Sequence, residues 1–256
     1  MTSAHASGRV ALVTGASQGI GAACAFALSS AGHRVALVAR SESALSEVAD
    51  MLPGESLVLP TDVTSASAIE AAFAAVESAW GPVEVLVVNA GAAMSASLVK
   101  TTDEDWQRML DINLTAPFRC LRRALPSMTS AGWGRVVVIA SVAGKTGGAR
   151  IAAYTASKHG VLGLVRSAAA EVARAGVTVN AICPGYVDTP MTDASVDNIV
   201  TGTGRTPDEA RSILAEMQPI GRLVAPTEVA SAVMLCVDNG AINGQGLNVD
   251  GGAVQS

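Results

Sequence analysis

Aromatic residues are scarce in this sequence. Two tyrosines, three tryptophans and three phenylalanines make up 3% of the 256 residues, so Ala, Val and Leu must fill the interior. Such small side chains suit helices packed closely against a sheet. Charge is also thin: 15% of residues are Asp, Glu, Lys or Arg, and the net charge is −5. That balance leaves no broad basic field for DNA or RNA. Cys24, Cys120, Cys183 and Cys236 lie far apart, with no CxxC pair and no Cys/His cluster. They read as reduced core thiols, and no metal site is expected. Long hydrophobic runs are missing too. VEVLVV is far too short to cross a bilayer, and the opening MTSAHASGRV lacks the apolar stretch of a signal peptide. These absences predict a soluble, cytoplasmic protein with no nucleic-acid or membrane partner, residues 1–7 forming a flexible tail.

What is present is a rhythm. Short Val-rich runs occupy 9–14, 34–39, 56–61, 83–88, 135–140, 177–182 and 246–251, separated by longer Ala-rich segments. Their continuous apolar character predicts strands buried on both faces. Ser41, Thr64-Ser65 and Thr102 are well placed to cap the helices that follow. Strand–helix repetition of this kind predicts one α/β domain over 8–256, a doubly wound parallel sheet of the Rossmann type. From about 189 to 219 the rhythm stops. That stretch holds Met191, Met217 and a helix capped at Thr206, where a helical lid over a ligand would sit.

The first strand runs into TGASQGIG, residues 14–21, with glycines at 15, 19 and 21. Glycines permit a sharp turn and a close approach of backbone to a pyrophosphate, which then rests on the N–H groups opening the helix. The second strand ends at Ala39-Arg40-Ser41, where an NAD site usually carries Asp or Glu. A guanidinium there can grip a 2′-phosphate, so NADP(H) is expected over NAD(H); the alternative has Arg40 merely ending the strand and Glu42 meeting the ribose. Asp62 and Val63 are candidates for the adenine pocket, and Asn89-Ala90-Gly91 for a close backbone approach to the cofactor.

Tyr154 and Lys158 stand four residues apart in AAYTASKHG. On a helix they share one face, about 40° apart. A phenol near pKa 10 is a poor proton trader at neutral pH, and a close ammonium would favour its ionised form. The pair reads as an acid–base device, with Ser141 at the end of the fifth strand and Asn113 in an apolar helical region nearby. His159 falls on another helix face and is expected to pack.

Together T-G-x-x-x-G-x-G (14–21), N-A-G (89–91), Asn113, Ser141, Y-x-x-x-K (154–158) and P-G (184–185) make the chain resemble the short-chain dehydrogenase/reductase family over residues 8–252. The resemblance implies that Tyr154 is the general acid for carbonyl reduction and the base for alcohol oxidation. Ser141 would hold the substrate oxygen, Lys158 would lower the Tyr154 pKa and bind the nicotinamide ribose, and Asn113 would hold a water on a proton path. It also implies cofactor contacts from Ser17, Gln18 and Ile20 in the glycine loop, and from Pro184, Gly185, Val187 and Thr189. Within the family, 157–191 and 219–230 are most similar to 3-oxoacyl reductases and polyketide ketoreductases, and also to 3-hydroxyacyl-CoA dehydrogenases.

The implied activity is NADPH-dependent reduction of a β-ketoacyl or polyketide-type ketone, presented as a small molecule or as a CoA or carrier-protein thioester. An NAD(H)-dependent 3-hydroxyacyl-CoA dehydrogenase and a non-catalytic NADP(H) sensor are the alternatives. Met94, Ser141, Val142, Thr146, Tyr186 and Met191 are the expected pocket wall, with Lys145 and Arg150 near its mouth, as carrier contacts or as solvated charge. The segment AAMSAS (92–97) lacks the Pro/Gly-rich run of aromatic polyketide ketoreductases, which weighs against a polycyclic substrate. Helices near 103–131 and 152–175 are apolar over more than one face, and in this family such helices build a homotetramer.

Overall fold

The computed structural model describes residues 8–255; the expected tail at 1–7 lies outside them. Each Val-rich run forms a strand: β1 (Val10–Thr14), β2 (Arg34–Ala39), β3 (Ser56–Pro60), β4 (Val85–Val88), β5 (Gly134–Ile139), β6 (Val177–Pro184) and β7 (Gly246–Val249). The strands pair in parallel in the order β3-β2-β1-β4-β5-β6-β7. This is a Rossmann-like α/β fold.

The continuous apolar runs have a simple cause. Val10 and Leu12 of β1 enter a core on one face, while Ala11 and Val13 enter a second core on the other. Successive side chains of a strand point to opposite faces, so a strand covered on both sides cannot alternate with polar residues. The first core is closed by α3 (Ala66–Trp80), α5 (Ala116–Ala131) and α6 (Ala152–Val172), the second by α1 (Gly19–Ser30), α2 (Glu42–Met51) and α9 (Pro226–Asp238). Phe73 is the largest fully buried side chain, and all four cysteines are buried and free. Only the outer strands β3 and β7 depart from the expectation, being half-buried because each has one neighbour.

Caps form where the sequence places them. Ser41 accepts from the Ala44 N–H at 3.3 Å, Ser65 from Ala68 at 3.3 Å, and Thr102 from Asp105 at 3.1 Å, the last opening α4 (Asp103–Leu110). Between α4 and α5 the chain widens into a π-helical turn, Asp111–Thr115, which carries the buried Asn113.

The stretch without strands holds two helices, not one. α8 (Pro207–Glu216) has the expected Thr206 cap, completed by Glu209 as a capping box. α7 (Pro190–Thr203) precedes it, opened by Pro190 and ended by Gly204 at φ 72°. The pair shares a small core of Val196, Ala210 and Leu214, and Arg211 of α8 pairs with Asp188 and Asp193.

Candidate active site

The order β1-β4 reverses the direction in which the sheet grows, and the loops leaving those two strands part to form a crevice. A cleft of about 1070 Å³ opens there. Its floor is the glycine loop. A Cβ at Gly15 would stand 2.8 Å from Asn89 Nδ2 and 2.9 Å from Ala90 Cα, and one at Gly21 would overlap the Gly15 carbonyl. Gly15 and Gly19 also adopt φ +65° and +56°, which side chains resist. α1 begins within the loop, at Gly19, with no side-chain cap and no acidic residue in its first turn, so its opening N–H groups are left for an anion. A dinucleotide therefore fits: the cleft has the volume for one, and its helix N-terminus is open.

Ser17, Gln18, Gly19 and Ile20 line this cleft, as do Arg40, Asp62, Val63, Asn89, Ala90, Gly91 and Thr189. Gly21 lies under the turn instead of on its surface. The Asp62 carboxylate accepts from the Thr64 N–H at 2.9 Å and hydroxyl at 2.8 Å; these bonds, with Arg40 adding a smaller pull, hold its pKa below the ordinary carboxylate value. Thr14, absent from the sequence-based set, ties the crevice together. Its hydroxyl accepts from the Asn89 N–H at 2.9 Å and the Ala90 N–H at 3.0 Å, while Asn89 Nδ2 donates to the carbonyls of Thr14 and Gly15. Ala39, Ser41, Thr61, Thr64, Ala92 and Ile112 are further lining residues. Apart from Ile112 their side chains are small or hydroxylated, and none carries a motif that singles it out.

A smaller chamber of about 90 Å³ adjoins the cleft and shares Ile20, Asn89, Gly91, Ala92, Thr189 and Met191 with it. Asn113, Ser141, Tyr154, Lys158, Pro184, Gly185 and Val187 line the chamber. Residues from the π-helical turn, the β5 end, α6 and the loop after β6 thus meet at one point beside the glycine loop. Ser141 hydrogen-bonds to the Tyr154 phenol and accepts from the Ala143 N–H at 3.1 Å. Lys158, buried at 6% exposure, donates to the Ile139 carbonyl at 3.0 Å, and its Nζ lies 5.7 Å from the Tyr154 ring centroid. Asn113 accepts from the Ala92 N–H at 3.1 Å and donates to the Ala92 carbonyl at 2.9 Å.

For the polypeptide by itself, burial governs the charge states. It pushes the Tyr154 phenol above its ordinary value of 10, against the pull of the Ser141 hydrogen bond. It pushes the Lys158 amine from 10.5 down to about 8. The expectation that Lys158 lowers the Tyr154 pKa is thus met here by the opposite direction, because desolvation disfavours both charged forms. A protonated phenol across the neutral range suits a proton donor.

Of the expected pocket wall, Ser141 and Met191 line the chamber; Met94, Val142, Thr146 and Tyr186 do not. Met94 accepts from Arg108 at 3.5 Å, Thr146 donates to the Val142 carbonyl at 3.3 Å, and Tyr186 packs on the α7–α8 core. Lys145 donates to the Gly246 carbonyl at 2.7 Å, while Arg150 is exposed at φ 68°. His159 is exposed, not packed: one helix turn brings its ring to the Thr155 carbonyl at 3.0 Å. Among the described residues no cluster of His, Cys, Asp or Glu could hold a metal ion, and no helix is long and apolar enough to cross a membrane.

Known proteins are similar to this chain in sequence and fold. A family model described as short chain dehydrogenase matches residues 9–200. A protein of Streptomyces coelicolor named as a ketoacyl reductase is 41% identical over 250 residues, 95% of this chain and 96% of its own. The 3-oxoacyl-acyl-carrier-protein reductase MabA of Mycobacterium tuberculosis is 39% identical, over 95% of this chain and 92% of its own. Among solved structures, a variant of actinorhodin polyketide ketoreductase with NADPH superposes at TM-score 0.93 with 40% identity, covering 96% of this chain and 97% of the other. Levodione reductase follows at TM-score 0.90 and 31% identity, with the same coverage. The chain belongs to the short-chain dehydrogenase family and is an NAD(P)-dependent oxidoreductase.

Proposed function

We propose that the chain is an NADPH-dependent ketoreductase that reduces a β-ketoacyl or polyketide-type ketone to a secondary alcohol, with Tyr154 as general acid. The observation that carries the reading is the meeting of Ser141, Tyr154 and Lys158 in one small chamber continuous with the nucleotide cleft. The relatives named for ketoacyl, 3-oxoacyl-acyl-carrier-protein and polyketide reduction support the substrate class, and with it a thioester presented on a carrier.

NADPH, when bound, supplies the hydride to the carbonyl carbon. The rest falls to the chain. Ser141 Oγ holds the carbonyl oxygen by a hydrogen bond, within reach of the phenol it already touches. Tyr154 gives its proton to that oxygen as the alkoxide forms. Lys158, fixed on the Ile139 carbonyl, presents an ammonium beneath the chamber and binds the nicotinamide ribose. Asn113 keeps the Ala92 turn in place, and a water held beside it would lead protons out. α7 and α8 form the lid over this reaction, with Met191 as its apolar inner edge.

A panel of ketones and acyl thioesters, followed by loss of NADPH absorbance, tests the reading. Turnover of β-ketoacyl or polyketide-type ketones supports it. Cofactor binding without turnover on any of them would return the sensor reading, which has no observation in its favour.

Arg40 at the cleft wall, with Ala39 where an NAD site carries an acid, supports NADP(H). Arg40→Asp is expected to lower kcat/KM for NADPH by about 10- to 100-fold, the worth of charge-assisted hydrogen bonds, and to spare NADH. A wild-type preference for NADH contradicts the assignment.

A homotetramer is proposed as well. Trp106 of α4 and Phe118 of α5 are 39% and 43% exposed, and Gly163 on the outer face of α6 has open space above it. Light scattering at micromolar concentration should return four times the 25.7 kDa chain mass. A monomer would refute it.

A further inference from the structure

Gln218 is the one long polar side chain among the large fully buried residues, at 1% exposure. It follows α8 and lies far from the catalytic set in sequence. Its side-chain amide is nevertheless spent on backbone beside the chamber. Oε1 accepts from the Tyr186 N–H at 3.1 Å, and Nε2 donates to the Tyr186 carbonyl at 3.1 Å and the Arg222 carbonyl at 2.7 Å.

These bonds continue a short ladder. The Val224 N–H donates to the Tyr186 carbonyl at 2.9 Å, and the Asp188 N–H to the Val224 carbonyl at 2.9 Å, around a parallel bridge of Val187 and Val224. The next rung would need a peptide group between Tyr186 N–H and the Arg222 carbonyl, and the Gln218 amide stands there in its place. It also fills the space over Gly185, where a Cβ would overlap Oε1 and stand 3.1 Å from Asp250 Cα. Gly185 and Val187 both line the chamber.

We infer that Gln218 is a positioning residue: it holds the loop from Pro184 to Thr189 in its cofactor-facing shape and couples that loop to the lid exit at 218–224. The inference rests on the proposed function, which gives the loop its role at the nicotinamide. A burial role by itself would affect stability; a positioning role must also affect cofactor affinity. Displacing a positioning group by an ångström can cost up to about 10²-fold.

The test uses the full chain. Gln218→Met keeps length and burial and removes all three hydrogen bonds. It is expected to raise the NADPH Kd, read by fluorescence titration, and the KM for NADPH by about tenfold, with kcat changed by less than about threefold. In the wild type, amide hydrogen exchange should slow at both 184–189 and 218–224 on adding NADPH, a measurement that needs no variant to fold. NADPH Kd within about twofold of wild type, or protection confined to 184–189, would overturn the inference. Wild-type enzyme that reduces no ketone would instead overturn the proposed function. Wild-type turnover with an unaffected variant removes only the role given to Gln218.

Discussion

Tyr154→Phe is expected to lower kcat by about 10³-fold or more while NADPH affinity changes by less than about threefold. Losing a positioned general acid typically costs 10²- to 10⁴-fold, and here the phenol is the only titratable hydroxyl that Ser141 touches in the chamber among the described residues. The fold should hardly notice, because the ring stays and Ser141 keeps its bond to the Ala143 N–H. Stopped-flow and steady-state rates with equal cofactor affinity would show the effect to lie on the chemical step. A variant retaining more than about a tenth of wild-type kcat would remove Tyr154 from the role.

Lys158→Met separates function from stability. Loss of the ammonium should cut kcat/KM by about 10²-fold, through the proposed ribose contact and the proposed proton path together. Stability of the cofactor-free protein should move the other way. Holding the amine at about 8 against 10.5 when unfolded means that the folded state disfavours the charge, at a cost of about 3 kcal/mol at neutral pH. The cost is full below about pH 8 and disappears as pH rises through 10.5, since the unfolded chain binds the extra proton only in that window. Removing Nζ leaves the Ile139 carbonyl without its donor, which returns about 1–3 kcal/mol. The net expectation is a gain of about 0–2 kcal/mol at pH 7, a Tm rise of at most about 4–8 °C, shrinking or reversing near pH 10. Calorimetry at the two pH values decides, and a variant less stable than wild type at pH 7 contradicts the buried-charge account.

The fold was legible because each strand is covered on both faces, so its whole length is apolar; Val10 to Val13 feed two cores in turn. The glycine turn was legible because tight turns demand glycine, as at Gly15 and Gly21, where any Cβ meets backbone. α7 was not legible: PMTDASVDNIVTGT carries β-branched residues and Gly202, and its few apolar anchors depend on α8 being present. The π-helical turn at Asp111–Thr115 is likewise a tertiary feature, set by Asn113 bonding to Ala92. The pKa directions of Tyr154 and Lys158 depend on how far the packed chain desolvates each group, which residue spacing on a helix does not reveal. Gln218 gives no local signal at all, since its partner Tyr186 is 32 residues away.

The central claim is that the Tyr154 phenol is the proton donor beside the nucleotide. It is tested most directly by the pH dependence of ketone reduction, kcat/KM for the ketone at saturating NADPH, in wild type and Tyr154→Phe. A group that must be protonated supports full activity below its pKa and loses it above. Burial that raises the phenol keeps wild-type reduction flat through neutrality, with a fall only on the alkaline side. The residual rate of Tyr154→Phe should lose the phenol's part of that fall and keep only the limb near 8 set by the Lys158 amine. An alkaline limb that persists unchanged in Tyr154→Phe would assign the proton to another group.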